Sequence, residues 1–292
     1  AGQSQYAFRK LPKLQAEKCN KRVHLDRNSY IRSARNSKRF WTIMRTSIDL
    51  NCDLGEGIGN EAALMPLISS CNLACGGHAG DLETIDQVVQ LAKQHKVGVG
   101  AHPSFPDREH FGRKEMQLSF KELKDSVLEQ IARVNKACLK HQVFLHHIKA
   151  HGALYNLCAQ KKEYAEFLTE VLAEAYPEIP VYVPFDSEMA RVATGKLKLL
   201  FEAFADRNYE PDGSLVSRQK DHAVITDEDA LITHVLRMVQ RNEIKTFDGG
   251  VLKVKIDTIC VHGDTPKAVE LLQFLNQKLD ENQIKKTTVS CT

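Results

Sequence analysis

The stretch NLACGGHAGD, residues 72–81, joins a short apolar run to two glycines, a histidine and an aspartate. A helical pattern with an acidic first turn and a basic last turn follows over residues 81–96, an arrangement that the helix dipole favours. Because glycine costs backbone entropy, the adjacent Gly76 and Gly77 indicate a sharp turn between the strand and the helix. The stretch therefore predicts one β-α unit.

About seven such units follow one another from residue 47, which predicts a parallel sheet with crossover helices. A β-hairpin on a DGG turn, residues 244–256, interrupts the series before the last strand. The predicted barrel or sheet strands are SIDLN (47–51), NLAC (72–75), VGVGAH (97–102), VFLHHIKAH (143–151), VYVP (181–184), KLLFEAFAD (198–206) and DTICVHG (257–263).

Polar residues gather after almost every predicted strand. An open doubly wound sheet would spread these residues along an edge, whereas a closed barrel brings them together at its C-terminal rim. The sequence therefore favours an α/β fold in which the strands close into a barrel, with the functional site at that rim.

Three polar residues alternate along and just beyond the first strand, namely Asp49, Asn51 and Asp53. Strand geometry sends all three to one side, where in a barrel they need partners or a ligand. We expect Asp49 and Asp53 to be catalytic and Asn51 to bind substrate. The alternative is a hydrogen-bonded network that caps the end of the barrel.

Lys149 and His151 alternate at the end of the fourth strand, which places an ammonium beside an imidazole. Such a pair suits the binding of a carboxylate and the movement of a proton. We expect His151 to act with Asp53 as a general base and Lys149 to hold a substrate carboxylate. On the pattern alone, Lys149 can equally be an exposed lysine at a strand end.

Two arginines follow predicted strands, Arg113 in FGRK and Arg207 in FADR. A guanidinium is a planar fork that binds anions, so we expect both arginines to bind substrate. For Arg207 the alternative is an internal salt bridge with Asp206.

Four histidines follow predicted strands, namely His78, His102, His151 and His262. Aspartate and histidine side chains at a rim can hold a divalent metal ion that activates water. If a metal is bound, we expect His78, Asp81 and His102 to be its ligands. The alternative for any one of these histidines is a hydrogen-bonded structural role.

The net charge of +3 is unevenly distributed. Residues 1–43 contain 11 lysines and arginines against two acidic residues, which leaves 29 basic and 35 acidic residues in the remainder. We expect residues 1–43 to be a disordered appendage, whether an expression remnant, upstream translation or a transit-like peptide, and residues 44–292 to form a single barrel domain. The mildly acidic remainder argues against a nucleic-acid surface.

No apolar stretch approaches the roughly 20 residues of a membrane span, and no signal-peptide pattern opens the chain. The eight cysteines include no CxxC pair. These features predict a cytoplasmic protein that does not enter a membrane. The sequence also lacks both GxxxxGK[ST] and GxGxxG, so it offers no self-contained nucleotide site.

Six ordered motifs resemble those of the LamB/YcsF family, the family of the 5-oxoprolinase A subunits. They are DLNCDLGEG, NLACGGHAGD, GAHPSFPDREHFGR, HGALYN, FADRNYEPDGSLVSR and CVHGD, and they extend the resemblance over about residues 46–285. The resemblance implies a distorted seven-stranded (β/α) barrel similar to the glycoside hydrolase/deacetylase group. It also implies ATP-dependent opening of 5-oxoproline (pyroglutamate) to L-glutamate, a hydrolase activity carried out with B and C subunits.

A five-membered lactam is a stable amide, so its hydrolysis benefits when its oxygen is first phosphorylated. We expect the partner subunits to activate the ring with ATP and this chain to add water. Two alternatives remain open. A stand-alone metal-dependent deacetylase or hydrolase would be active without partners and ATP, and a non-catalytic substrate-presenting subunit would tolerate mutations at the rim.

Overall fold

Seven parallel strands close into a barrel in the computed structural model, which describes residues 45–265 and 267–289. The barrel order is β1-β2-β3-β4-β5-β6-β9, and β9 pairs with β1 to complete the ring. The strands are β1 (Ser47–Leu54), β2 (Ser70–Ala74), β3 (Gly98–His102), β4 (Leu145–Ile148), β5 (Val181–Pro184), β6 (Leu199–Phe204), β7 (Glu243–Lys245), β8 (Val251–Lys253), β9 (Thr258–Val261) and β10 (Lys285–Lys286).

Helices follow the barrel strands and cover the outer face of the barrel. They are α1 (Glu61–Leu64), α2 (Leu82–His95), α3 (Phe120–Lys140), α4 (Gly152–Gln160), α5 (Lys162–Ala175), α6 (Glu188–Ala193), α7 (Glu228–Arg241) and α8 (Ala268–Glu281). The predicted seven-stranded barrel is confirmed, as is the hairpin, which is β7 paired antiparallel with β8. The sequence patterns do not predict α4, which lies in the HGALYN motif, or the short strand β10, which pairs with the start of β1.

The barrel is distorted on one side. Strands β4 and β5 share a single paired position, Ile148 with Val181, and the register between β3 and β4 shifts at Val99 and Gly100. By contrast, β1 pairs with each of its barrel neighbours at four positions. The seam at β4 is therefore the irregular part of the ring.

Side chains alternate along the barrel strands as the pleat requires. On β1, Leu50 and Cys52 point outward into the buried apolar layer between strands and helices. Local sequence starts the helices that complete this layer. The Asp81 carboxylate caps α2 by accepting a hydrogen bond from the Thr84 backbone N–H at 2.8 Å, and Ser119 forms a capping box at the start of α3.

Two glycines are required by their surroundings. Gly76 has a φ of +87°, a left-handed conformation that lets the chain turn sharply after β2. Gly100 lies on β3 against the His147 ring, where a Cβ atom would fall 2.1 Å from His147 Nε2. A side chain at residue 100 would therefore displace an imidazole from the interior of the barrel.

The described residues belong to one compact unit, Met44–Thr292. The predicted appendage, residues 1–43, lies outside the described residues, so its disorder stays a prediction. Among the helices of the described part, none is long and apolar enough to cross a lipid bilayer.

Asp49 lies in the barrel interior and is 1% exposed. Its carboxylate accepts hydrogen bonds from Ser69 Oγ at 2.7 Å, Ser70 Oγ at 2.8 Å and Tyr182 OH at 3.2 Å, and a further one from Thr258 Oγ1. Four hydroxyl groups from three other segments of the barrel thus converge on one carboxylate. This is the hydrogen-bonded network that the sequence leaves open as the alternative to catalysis.

Replacing Asp49 with alanine leaves buried hydroxyl groups without an acceptor. We expect Asp49→Ala to lower the free energy of unfolding by about 3 kcal/mol or more, measured by chemical denaturation. The control is Asp86→Ala, which removes a partly exposed carboxylate that pairs with Lys140, and we expect it to change stability by less than about 1 kcal/mol. If Asp49→Ala is as stable as the control, the hydrogen bonds that Asp49 accepts from the four hydroxyl groups do not stabilise the barrel.

Candidate active site

A cavity of about 470 Å³ opens at the C-terminal rim of the barrel, and we call it the mouth cavity. Its lining comes from the ends of the strands β1, β3, β4, β6 and β9 and from the loops that follow them, as the closed barrel predicts. Asp53, His102, Lys149, His151 and His262 are among the residues that line it. The rim therefore brings together residues that lie far apart in the chain.

Lys149 forms a buried ion pair at the floor of the mouth cavity. Its Nζ lies 3.0 Å from Asp53 Oδ1, 3.0 Å from Glu202 Oε1 and 3.2 Å from Cys260 Sγ. Burial alone would lower the pKa of Lys149, but Asp53, Cys260 and Glu202 raise that pKa well above its usual value. Lys149 is therefore a fixed positive charge that already has anionic partners inside the protein.

The same ion pair keeps Asp53 ionised. Burial alone would raise the pKa of Asp53, but Lys149 and His102 lower that pKa well below its usual value. Asn72 Nδ2 also donates a hydrogen bond to Asp53 Oδ1 at 2.7 Å. Lys149 and Asn72 therefore hold one oxygen of the Asp53 carboxylate, Oδ1. The other oxygen, Oδ2, lies 3.5 Å from His102 Nε2.

Asn51 belongs to the support of this ion pair and not to the cavity wall. Its Nδ2 donates to Glu202 Oε1 at 2.9 Å and to Thr258 Oγ1 at 2.7 Å. Its Oδ1 accepts from Asn72 Nδ2 at 2.7 Å. The structure therefore places Asn51 below the mouth cavity, which does not agree with direct substrate binding.

Four side chains meet at the edge of the mouth cavity, and we call them the acceptor cluster: Asp53, Glu56, His102 and His151. One ligand-type atom from each lies within 4.8 Å of the others. His151 Nδ1 lies 3.0 Å from His102 Nε2 and 3.7 Å from Glu56 Oε1. Of these four residues, the sequence patterns single out all but Glu56.

Backbone carbonyl groups fix the protons of both histidines in the acceptor cluster. His102 Nδ1 lies 2.8 Å from the Lys149 carbonyl oxygen, and His151 Nε2 lies 2.9 Å from the Phe111 carbonyl oxygen. Because a carbonyl oxygen only accepts, each of these nitrogens carries its hydrogen. The other two nitrogens, His102 Nε2 and His151 Nδ1, lie 3.0 Å apart, so they either share the hydrogen of one protonated ring or present two lone pairs to each other.

Burial lowers the pKa of His151 well below its usual value, and the nearby His102 and His78 lower it further. Burial also raises the pKa of Glu56 to about 7, with the charge of Asp53 adding to the effect. Two facing ring nitrogens with two carboxylates beside them need a positive charge between them. That charge can be a proton or a metal ion.

His78 lies beside the acceptor cluster. Its ring stacks on the His151 ring with the centroids 3.7 Å apart, and its Nε2 lies 3.3 Å from Glu56 Oε1. Burial and the proximity of His102 lower the pKa of His78 to about 3, so this ring is neutral. Of the expected metal ligands, the structure therefore brings His78 and His102 to one place.

Asp81 does not join them. It is exposed at the start of α2, where its carboxylate accepts the capping hydrogen bond from Thr84. Its carboxylate is thus engaged in capping α2 and does not belong to the group of possible ligands that contains His102. Asp49 is likewise held by four hydroxyl groups in the barrel interior and does not line the mouth cavity.

His262 and Asp206 form a second unit at the mouth cavity. His262 Nδ1 lies 3.0 Å from Asp206 Oδ1, and Asp206 also accepts a hydrogen bond from Thr265 Oγ1. Burial alone would raise the pKa of Asp206, but His262 and these hydrogen bonds lower it to about 2. An ionised Asp206 holds the hydrogen on His262 Nδ1 and leaves Nε2 as the basic nitrogen.

The arginines lie at the upper wall of the mouth cavity. Arg113 is partly exposed and pairs with Asp264 Oδ2 at 2.6 Å. Arg207 is 6% exposed and donates hydrogen bonds to the carbonyl oxygens of Val216 and Ala223. The alternative for Arg207, a salt bridge with Asp206, is not among the ion pairs of the described residues, since Asp206 pairs with His262.

Sequence reasoning missed Glu56, Glu202, Asp206 and the role of His262. Glu202 and Asp206 alternate with Phe204 in FEAFAD, so the period of two that singled out Asp53 on β1 also applies to them. Glu56 lies in the GEG turn, where no periodicity predicts the direction of a side chain. His262 follows a predicted strand, but its partner Asp206 lies 56 residues earlier in the chain, so the sequence does not show that the two residues pair.

A model of the LamB/YcsF family matches residues 48–292. The chain is 44% identical over 244 residues to a protein of Bacillus cytotoxicus that is named as the A subunit of 5-oxoprolinase, a match that covers 82% of this chain and 97% of the relative. It is 43% identical over 243 residues to a protein of the same name from Clostridium beijerinckii, covering 81% of this chain and 95% of the relative.

Among solved structures, the lactam utilization protein of Thermus thermophilus superposes with a TM-score of 0.78 at 35% identity, covering 83% of this chain and all of that chain. The fold, the order of the rim motifs and the matched length agree with one another. The chain belongs to the LamB/YcsF family.

Proposed function

We propose that this chain is the A subunit of a 5-oxoprolinase, which takes part in the hydrolytic opening of 5-oxoproline to L-glutamate. The names of its relatives support this function, and so does the observation that carries the proposal: His262, whose imidazole is held by a carboxylate, lines one cavity together with Asp53, His102 and His151 of the acceptor cluster. Lactam hydrolysis needs a water molecule, a proton acceptor and a proton donor for the leaving nitrogen. These are the groups that the mouth cavity offers.

We further propose that the reaction uses ATP through B and C subunits. The sequence has no phosphate-binding loop of its own. Phosphorylation of the lactam oxygen makes the ring carbon a better electrophile. Water then adds to this carbon, the ring C–N bond breaks with a proton going to nitrogen, and the product is an acyl phosphate. A second water releases inorganic phosphate and leaves glutamate.

His262 is the residue we propose for proton transfer. Its Nδ1 hydrogen is held by Asp206, so Nε2 can accept a proton from the attacking water and return it to the leaving nitrogen. From the sequence alone, this role falls to His151 and Asp53. Because both belong to the acceptor cluster, we propose that they bind a cation and orient the water.

The donor set of the acceptor cluster fits a divalent metal ion. Two imidazole nitrogens and two carboxylates are ligands that zinc and similar ions accept, and His102 Nε2 and His151 Nδ1 face each other at 3.0 Å, where a proton or a metal ion can lie between them. A bound metal ion would lower the pKa of a water molecule. Lys149 then holds the Asp53 carboxylate in place, which is a positioning role and not the expected binding of a substrate carboxylate.

The metal proposal predicts one divalent ion per chain. We expect isothermal titration calorimetry with Zn²⁺ or Mn²⁺ to show 1:1 binding to the full chain and binding at least about tenfold weaker to Glu56→Gln. His110→Gln is the control, since His110 is partly exposed and pairs with Asp107. A folded wild-type chain that binds no metal would mean that the positive charge in the acceptor cluster is a proton.

The proposed function predicts that glutamate forms from 5-oxoproline when the chain is mixed with B and C subunits and ATP, but not when the chain is alone. We expect His262→Asn to lower the rate of the mixture by about 10²–10⁴-fold. The control is His222→Asn, an exposed histidine on the segment between β6 and α7.

Three outcomes would contradict parts of this account. Full activity of the mixture with His262→Asn would exclude His262 as the proton carrier. Lactam or amide hydrolysis by the chain alone, with metal but without ATP, would favour the stand-alone hydrolase. Activity that survives every change at the rim would favour a subunit that only presents the substrate.

A further inference from the structure

The upper wall of the mouth cavity contains three arginines from two loops. Arg113 follows β3, and Arg207 and Arg218 follow β6. One carboxylate, that of Asp264, faces two of them: its Oδ2 lies 2.6 Å from Arg113, and its Oδ1 lies 3.7 Å from Arg218. Among the described ion pairs of these three arginines, Asp264 is the carboxylate partner, and it lies within hydrogen-bond distance of Arg113 only.

The pairing in this group is incomplete. Asp264 Oδ1 is buried and has no hydrogen-bond partner among the described residues, because Arg218 stops short of hydrogen-bond distance. Asp264 therefore pairs closely with Arg113 and not with Arg218, whose guanidinium has no carboxylate at hydrogen-bond distance among the described residues.

The three guanidinium groups lie close enough to affect one another. Burial lowers the pKa of Arg207, and the charges of Arg218 and then of Arg113 contribute to that lowering. Arg207 donates its hydrogen bonds to backbone carbonyl groups, and the charge of Asp206, which pairs with His262, offsets part of the repulsion. The repulsion among like charges is relieved when an anion enters the cavity.

We propose that Arg113 and Arg218 bind the phosphoryl group of a phosphorylated lactam, with Asp264 holding the two arginines apart and oriented until that anion arrives. A phosphoryl group is a dianion with three acceptor oxygens, and two guanidinium forks match both its charge and its geometry. An unphosphorylated lactam acid has one carboxylate and would leave one of these charges unused.

The size of the mouth cavity agrees with this ligand. A volume of about 470 Å³ falls in the range of roughly 300–1,000 Å³ that drug-sized ligands occupy. A single five-membered ring fills only part of this volume, and a phosphoryl group on the ring adds to the volume that the ligand occupies.

The chemical identity of the ring rests on the proposed function. The existence of the anion site does not depend on that function. The probe is therefore inorganic phosphate, titrated into the full chain by calorimetry. We expect phosphate to bind the wild-type chain, Arg218→Gln to bind it about tenfold more weakly, and Asp264→Asn to bind it more tightly because an internal competitor is removed. The control is Lys220→Gln, a cation of the same loop that pairs with Glu210 and does not line the mouth cavity.

The proposal is wrong if Arg218→Gln binds phosphate as the wild-type chain does, or if Asp264→Asn does not bind more tightly. A second measurement separates it from the proposed function. If the wild-type mixture with B and C subunits opens 5-oxoproline and Arg218→Gln leaves its kcat/KM unchanged, the phosphoryl site fails and the function stands. If the mixture does not act on 5-oxoproline while phosphate binding still depends on Arg218, the function fails and the anion site stands.

Discussion

The buried ion pair of Lys149 with Asp53 and Glu202 is the interaction on which the rest of the site depends. Two carboxylates and one ammonium are desolvated together in the barrel interior, a cost that only close contact and full hydrogen bonding can offset. Asn51 and Asn72 supply those hydrogen bonds from β1 and β2. The result is a carboxylate that stays ionised and aimed at the rim.

Closure of the sheet into a barrel places this ion pair at the floor of a cavity that several loops surround. The ion pair joins β1, β4 and β6, which become neighbours across the interior only because β9 pairs with β1 and completes the ring. The loops after β3, β6 and β9 then face one another over the same opening. The three proposed roles, proton transfer at His262, cation binding at the acceptor cluster and anion binding at Arg113 and Arg218, concern one ligand because residues of all three groups line a single cavity.

Much of the architecture could be predicted because it follows from local patterns. Alternating apolar runs and amphipathic segments predicted the seven strands, and polar residues at the strand ends predicted the closed ring and its rim. Alternation along β1 predicted that Asp49 and Asp53 share one side of the strand, and the expectation that both are catalytic followed from that shared side. A strand pattern gives the face of a residue but not its height in the barrel, and Asp49 lies lower, among hydroxyl groups that the pattern cannot reveal.

The remaining differences have similar causes. Asp81 immediately precedes a helix with an acidic first turn, where an aspartate commonly caps the helix, so a local role competes with metal binding at this residue. The direction of Glu56 depends on a glycine turn, and the pairing of His262 with Asp206 depends on contacts between distant segments. Lys149 was assigned to the substrate because its two internal carboxylate partners, on β1 and β6, are visible only in three dimensions.

The barrel brings His102 Nε2, His151 Nδ1 and two carboxylates to one point, where we propose that a metal ion binds. Anomalous diffraction from crystals of the full chain grown with Co²⁺ would locate such an ion. We expect one anomalous peak at the acceptor cluster, with His102 Nε2 and His151 Nδ1 farther apart than their present 3.0 Å. A map without a peak there, or a peak at Cys260 and His262 in its place, would contradict this proposal.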